Sequence, residues 1–392
     1  MNATVNTSML PCSNNRTCDF IDEPLASFCV RVFLFAVIML GSVFGNAVVC
    51  KAILSLPTRQ LLFSYYLVTN LAFAEIISSL CFPFYFVYDW LNHWPFGDVA
   101  CKLVFPIQMT AMFVVTYTLA VIAAYRCRVI VFSRHRLFSR SIAKVLLVLG
   151  LLWGAALIIV LPAGVVMHYE IRGFPPGKNH CIALFPGDTP QDTSRHTKYS
   201  IARFIVSFVV PYLIISISYI AVALKINRHV AESNATRQND ATGEDPLPPK
   251  GNPHFMELQK MEGNTCMQKE KAKKTKPKRL TGIVGCPRHA LPPVQGVRTR
   301  DGCNSVMNFE LDILRMIYLI ILTFIVCYIP NQVVFIYEQV NGGLSCWPYY
   351  IIIRRYAFLL TCLPGAFHPL LYGTMSKVYA KAFATLVSCH TK

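Results

Sequence analysis

Four side chains stand where their chemistry is costly. Asn46, Glu75 and His368 fall within long apolar runs, and Arg203 falls within another. Polar and ionisable groups at membrane depth are usually functional, because hydrocarbon offers them no partner. Their chemistry is hydrogen bonding, proton exchange and anion pairing rather than catalysis: no apolar run carries a nucleophile with its base, or a metal-ligand pair, at matching depth. The 15 cysteines are scattered and not grouped as CxxC pairs, which gives no support for a zinc or redox centre. Neither enzyme activity nor a cofactor is expected.

The elements that must position these groups are membrane spans. A chain of 392 residues that is 54% hydrophobic and 15% charged is not a set of soluble domains. Apolar stretches run at about 28–55, 62–90, 99–125, 142–167, 199–224, 311–338 and 349–373, each long enough to cross a ~30 Å hydrocarbon core as a helix. The pattern describes an all-α membrane protein, a seven-transmembrane helix bundle. Seven spans put the termini on opposite sides, and two signals fix which. Asn-x-Ser/Thr acceptors at Asn2, Asn6 and Asn15 mark residues 1–28 as an extracellular glycosylated tail, with chance occurrence as the alternative. Basic clusters at Arg126, Arg128, Arg134, Arg136 and Arg140, and along Lys269 to Arg279, mark the inner side.

The chain is thereby divided into the tail, spans one to five with their loops (29–227), a disordered third intracellular loop (228–307), spans six and seven (308–374) and a short C-terminal amphipathic helix on the inner membrane surface (375–392). Cys389 near its end is a candidate acylation site, or equally a plain thiol. No removable signal peptide is apparent, and a multi-pass protein of the plasma membrane with an extracellular N-terminus is expected. Much of the net charge of +17 lies on the inner side, so nucleic acid is not an expected partner, whereas membrane lipid is.

Several motifs arrive one per span and in order: Gly45-Asn46, Asn70-Leu71-Ala72-Phe73-Ala74-Glu75, Trp94-Pro95-Phe96-Gly97 before Cys101, Trp153, Pro211 with Tyr219, Phe324 with Cys327-Tyr328-Ile329-Pro330, and His368-Pro369-Leu370-Leu371-Tyr372. Each alone reads as a kink or a packing aromatic. In register, they make the chain similar to the rhodopsin-like (class A) G-protein-coupled receptors, over everything except the tail and the long inner loop. The resemblance implies a disulfide between Cys101 and Cys181; Cys346, in the third outer loop, is a candidate to pair with Cys18 or Cys12 of the tail, with no second bridge as the equal alternative.

It also places a ligand pocket. The position of a retinal-binding lysine, seven residues before Pro369, holds Cys362, which excludes an opsin. The position of the amine-binding carboxylate, eighteen residues before Arg126, holds Gln108. A neutral amide suits an amide-rich ligand, as in the peptide-receptor branch; a glutamine bonded to a neighbouring helix is the bland alternative. Arg203, Asn331, Gln332, Phe335 and Phe358 are projected to line the same pocket. Glu338, Asp89 or the ligand could partner Arg203, and Arg354 and Arg355 are expected to snorkel toward headgroups.

The resemblance further implies a switch at Arg126. Tyr125 and Cys127 stand where the family has an acid and a tyrosine, so restraint is expected to come from Glu310, twenty residues before Pro330, with Tyr219 and Tyr372 meeting the arginine in the active state. A solvated Glu310 at a helix start is the alternative. Phe324 and Tyr328 are expected to belong to the moving span. Glu75 and His368 replace the family's usual Asp and Asn, and are expected to pair across spans two and seven. The family holds a sodium ion at this acid, but Val115 occupies one of the ligand positions here. The implied function is a receptor for an extracellular, neuropeptide-like ligand that signals through a heterotrimeric G protein and recruits arrestin. A non-signalling decoy of the same fold, and a transporter, are the alternatives.

Overall fold

In the computed structural model of the chain, residues 10–11, 17–18, 20–55, 63–132, 142–170, 179–183, 185–186, 194–242, 299–341, 346–375, 380 and 384 are described. Among them, seven helical stretches are long and apolar enough to cross a membrane. They are α1 (Leu25–Leu54), α2 (Phe63–Leu91), α3 (Gly97–Phe132), α4 (Ile142–Val166), a composite fifth span, α7 (Thr299–Asn341) and α8 (Tyr350–Met375). The fifth span consists of α5 (Ser194–Phe204), a π-helical turn (Ile205–Val209) and α6 (Val210–Thr242).

Two units are distinguished, Met1–Lys225 with Ile313–Lys392, and Ile226–Asp312. In the first, α1 packs on α2 and α8, α2 on α3, and α3 on α4. The apolar stretch of α3 is 67% buried and that of α4 only 17%, so α3 is the axis of the bundle and α4 borders lipid. Close approach of α1 and α8 depends on missing side chains. A Cβ on Gly45 would lie 2.6 Å from Pro369 Cβ, and one on Gly365 would lie 2.5 Å from Ser42 Oγ. In the second unit, 226–242 and 299–312 are helical, so the ends of the loop expected to be disordered are helical where described, and its residues 243–298 lie outside the described residues. No glycine or proline breaks the first of these stretches between Lys225 and Gly243.

The end of the bundle that carries Cys101 is closed by loops. Strand β1 (Leu10–Pro11) pairs with β2 (Thr17–Cys18), and β3 (Met167–Glu170) pairs antiparallel with β4 (His180–Ala183), placing Tyr169 opposite Cys181. Cys101 and Cys181 form a disulfide with Cα atoms 5.6 Å apart, which pins the β3–β4 hairpin to the first turn of α3. Trp94 is fully buried beside it; its Nε1 donates to Gly97 O at 2.8 Å and its backbone N–H to Asn179 O at 2.8 Å. Gly97 itself sits at φ +78°, a left-handed conformation that needs glycine. Cys346 is also disulfide-bonded. The side chains of Cys12 and Cys18, the glycosylation acceptors Asn2, Asn6 and Asn15, and Cys389 with most of the expected surface helix lie outside the described residues.

Candidate functional site

The site begins with an irregularity in the fifth span. Pro211 has no N–H to give to the carbonyl four residues back, and one turn earlier the helix widens, with Val210 N–H bonding to Ile205 O. Arg203, Phe204, Ser207 and Phe208, on and beside this π turn, line a cavity of about 190 Å³. Gln108, Asn331, Gln332, Phe335 and Phe358 line it too, so all six projected pocket residues meet in one place. Met112, Tyr328 and Thr361 complete the wall without having been singled out as pocket residues from sequence. A second compartment of about 430 Å³ shares Asn331, Phe335 and Phe358 and opens toward Tyr88, Asp89, His180, Glu338 and Arg354. Burial, and then the nearby His93, hold the His180 imidazole below its usual pKa, so it favours the neutral form.

Gln108 fits both readings made for it. Its Nε2 donates to Ser78 Oγ on α2 at 2.9 Å, while its Oε1, buried at the cavity wall, has no partner among the described residues. Arg203 lies over the Phe335 ring at 5.5 Å. Among the described residues no carboxylate pairs with it, because both candidates are engaged elsewhere. Glu338 binds Arg354 at 2.9 Å and accepts from Tyr350 Oη at 3.1 Å.

Asp89 belongs to a closed ring of alternating charge. Arg31 contacts Glu23 at 2.7 Å and Asp89 at 3.2 Å; Arg355 contacts Glu23 at 3.1 Å and Asp89 at 3.1 Å. The ring joins the segment before α1 to α1, α2 and α8. Phe28 and Phe86 stack on the Arg31 guanidinium at 5.6 and 5.1 Å. The side chains of Arg31, Glu23 and Arg355 are 4, 4 and 9% exposed, so these charges are truly desolvated. Arg355 therefore does not snorkel, because a buried guanidinium needs the carboxylates within its reach, whereas Arg354 is 46% exposed and pairs with Glu338 from there. Burial alone would raise the Glu23 pKa, but hydrogen bonding and charge from Arg31, with Arg355 and Ser27 adding, bring it below its usual value.

Deeper in the bundle, His368 Nδ1 contacts Glu75 Oε1 and Nε2 faces Ile320 O at 3.2 Å, joining α2, α7 and α8. Residues here do not fit the family's sodium ion. The imidazole takes one oxygen of the acid, leaving only Glu75 Oε2 without a partner among the described residues, and Val115 offers no ligand. Tyr328 stacks on Phe324 at 4.2 Å and donates to Met112 Sδ at 3.0 Å, so the cavity floor rests directly on the sixth span. Asn46 Nδ2 donates to Gly365 O at 2.8 Å; Trp153 Nε1 donates to Asn70 Oδ1 at 2.9 Å, and Asn70 Nδ2 to Thr118 Oγ1 at 2.8 Å.

At the opposite end, Arg126 is 8% exposed and Tyr125 packs edge-on against Phe63 at 4.9 Å. Tyr219 lies beside Tyr318 at 5.9 Å, and Tyr372 is fully buried. Glu310 is on α7, but its side chain, and with it the expected pairing with Arg126, lies outside the described residues.

Comparison with known proteins agrees with this arrangement. Residues 45–372 match the family described as 7 transmembrane receptor (rhodopsin family). The neuropeptide Y receptor type 2 of Gallus gallus is 30% identical over 205 residues, 52% of this chain and 52% of that one. The human protein of the same name is 30% identical over 209 residues, 53% of this chain and 54% of that one, and the Mus musculus protein is 29% identical over 210 residues, with the same shares. The chain spans about half the length of the curated relatives it matches. With the match running from the later part of α1 to near the end of α8, most of the chain, the chain belongs to the rhodopsin family of seven-transmembrane receptors.

Proposed function

We propose that the chain is a receptor for an extracellular peptide, and that ligand binding shifts a two-state bundle coupled to a heterotrimeric G protein. One observation carries this reading: Arg203 faces a cavity walled by Gln108, Asn331 and Gln332, and no carboxylate among the described residues neutralises it. An anionic group on the ligand supplies that partner, and the three carboxamides match backbone amides in both donor and acceptor roles. Relatives bearing the name neuropeptide Y receptor support a peptide over a small amine. Orientation follows from chemistry at the two ends. The disulfide end with its glycosylation acceptors faces outside, and the Arg126 end, with the basic residues that follow it, faces the G protein and, after activation, arrestin. Residence in the plasma membrane follows from that role.

The test is surface expression of the receptor, with binding and G-protein activation measured separately against a peptide library. A peptide that both binds and activates, and whose affinity falls tenfold or more in Arg203→Gln, is the expected result. That loss corresponds to ~1.4 kcal/mol, the lower end for a charge-assisted hydrogen bond. Tyr125 in place of an acid beside Arg126 favours a second reading, a decoy that binds without coupling. A peptide that binds with high affinity and evokes no G-protein activation would establish it.

A further inference from the structure

A second site lies on the lipid-facing side of the bundle. Between α3 and α4, with Ile77 of α2 as its floor, runs a groove of about 710 Å³ whose walls are almost wholly apolar: Ile107, Trp153, Leu157, Leu161 and Val165. Its volume is that of a compact ligand's site and exceeds the track of one acyl chain. Three features set it apart from ordinary lipid-facing surface.

Thr110 lines the groove, is only 5% exposed, and its hydroxyl makes no hydrogen bond to any described residue. A hydroxyl that opens onto hydrocarbon without a partner is costly. Pro106 and Pro162 lie within α3 and α4 and lack the N–H that would bond the carbonyls of Lys102 and Ile158. Both of those residues line the same groove.

The depths of these groups agree. A Cβ on Gly164 would lie 3.2 Å from Pro106 Cγ, so residues 164 and 106 share a level. Asn70 bonds both Trp153 and Thr118, which sets a second level farther down. Between these two anchors the antiparallel helices bring residue 110 level with about residue 160, half a turn from Ile158. Thr110 and Ile158, whose carbonyl lacks its usual helical N–H donor, thus lie near one level of the groove, and Lys102, whose carbonyl lacks one too, lines it two turns nearer the helix start.

We propose that this groove binds a steroid diol partitioned in the membrane: a rigid apolar ring system with a hydroxyl at each end, one near Lys102 and the other shared by Thr110 and Ile158. A sterol with a single interfacial hydroxyl leaves the deep pair unsatisfied, and a phospholipid chain offers it nothing.

The experiment uses the full-length receptor in nanodiscs of pure phosphatidylcholine and radiolabelled androstenediol, which has a hydroxyl at each end of its ring system. Saturable binding above that of empty nanodiscs is expected, weakened tenfold or more by Thr110→Val, retained by Thr110→Ser, and abolished by Leu161→Trp, which fills the groove from an exposed position. Cholesterol should compete at least tenfold less well. Non-saturable uptake equal to that of empty discs, undiminished binding in Thr110→Val or Leu161→Trp, or equal competition by cholesterol would each overturn the proposal. Peptide binding to the cavity is unaffected by any of these outcomes, so the two sites are tested apart.

Discussion

Gln108 and Arg203 show what a single position decides. Gln108 uses one end of its amide to hold α2 and leaves the other at the cavity wall, so its charge-neutral character keeps Arg203 available. Gln108→Glu should place a carboxylate in the same cavity, satisfy the guanidinium internally and weaken an anionic ligand tenfold or more, whereas Gln108→Leu should weaken it less, by about the ~0.5–1.5 kcal/mol of one neutral hydrogen bond. Competition binding on the two variants checks the order; equal losses would mean that charge is not what the ligand reads. The pocket residues were legible because the family motifs fix the register of each span, and the sequence then supplies side-chain type at known depth. Ser78 and Met112 were not legible as the partners beneath Gln108 and Tyr328, since nothing in their types signals a role.

At the scale of elements, the charge ring at the Cys101 end decides how α1, α2 and α8 meet. Asp89 was read from sequence as a candidate partner of Arg203 and Arg31 was not singled out; Arg31 lies 8 residues from Glu23 but 58 from Asp89, and Arg355 lies 332 from Glu23, and no local pattern reports the longer pairings. Removing one member of a buried ion network leaves an uncompensated charge, so Glu23→Gln should lower stability by ~3 kcal/mol. Thermal unfolding of purified receptor measures it, and an unchanged midpoint would show the ring to be ornamental. The same carboxyl sets an acid limit. Its pKa in the folded chain lies below 4.5, so its contribution is fully present above about 4.5 and is lost as pH falls through the folded value. Stability attributable to Glu23, read as the difference between wild type and Glu23→Gln, should therefore be flat from pH 7 to 5 and shrink under stronger acid. Packing of α1 on α8 rests on Gly45, where an added methyl group collides with Pro369. Gly45→Ala should cost ~1–3 kcal/mol and reduce surface expression, as overpacking does.

Across the whole molecule, the seven spans and their order were legible from hydropathy because hydrocarbon permits so few backbone solutions. Helix ends beyond the apolar runs were not: α6 continues to Thr242 and α7 starts at Thr299, through polar residues such as Asn239, Asp240, Gly302 and Asn304 that leave no apolar periodicity to read. The buried chain from Gln108 through Ser78 and Met112 to Tyr328 and Phe324 connects the cavity to the sixth span, and His368 with Glu75 connects the second span to the sixth and seventh. Ligand contact thus bears directly on the element that must move. If Glu310 restrains Arg126, Glu310→Ala should raise ligand-free G-protein activation severalfold at equal surface expression, since 1.4 kcal/mol shifts the active fraction about tenfold. Unchanged basal activity would leave the arginine restrained by something else.

The central claim is that a ligand anion docks on Arg203 and that this docking drives coupling. It is tested most directly by measuring peptide-evoked G-protein activation in cells expressing wild type, Arg203→Gln and Arg203→Lys at matched surface levels. Potency should fall tenfold or more with Gln and be partly kept with Lys, which preserves charge but not the planar fork. Potency within about twofold of wild type in Arg203→Gln, a difference under ~0.5 kcal/mol, would contradict the account.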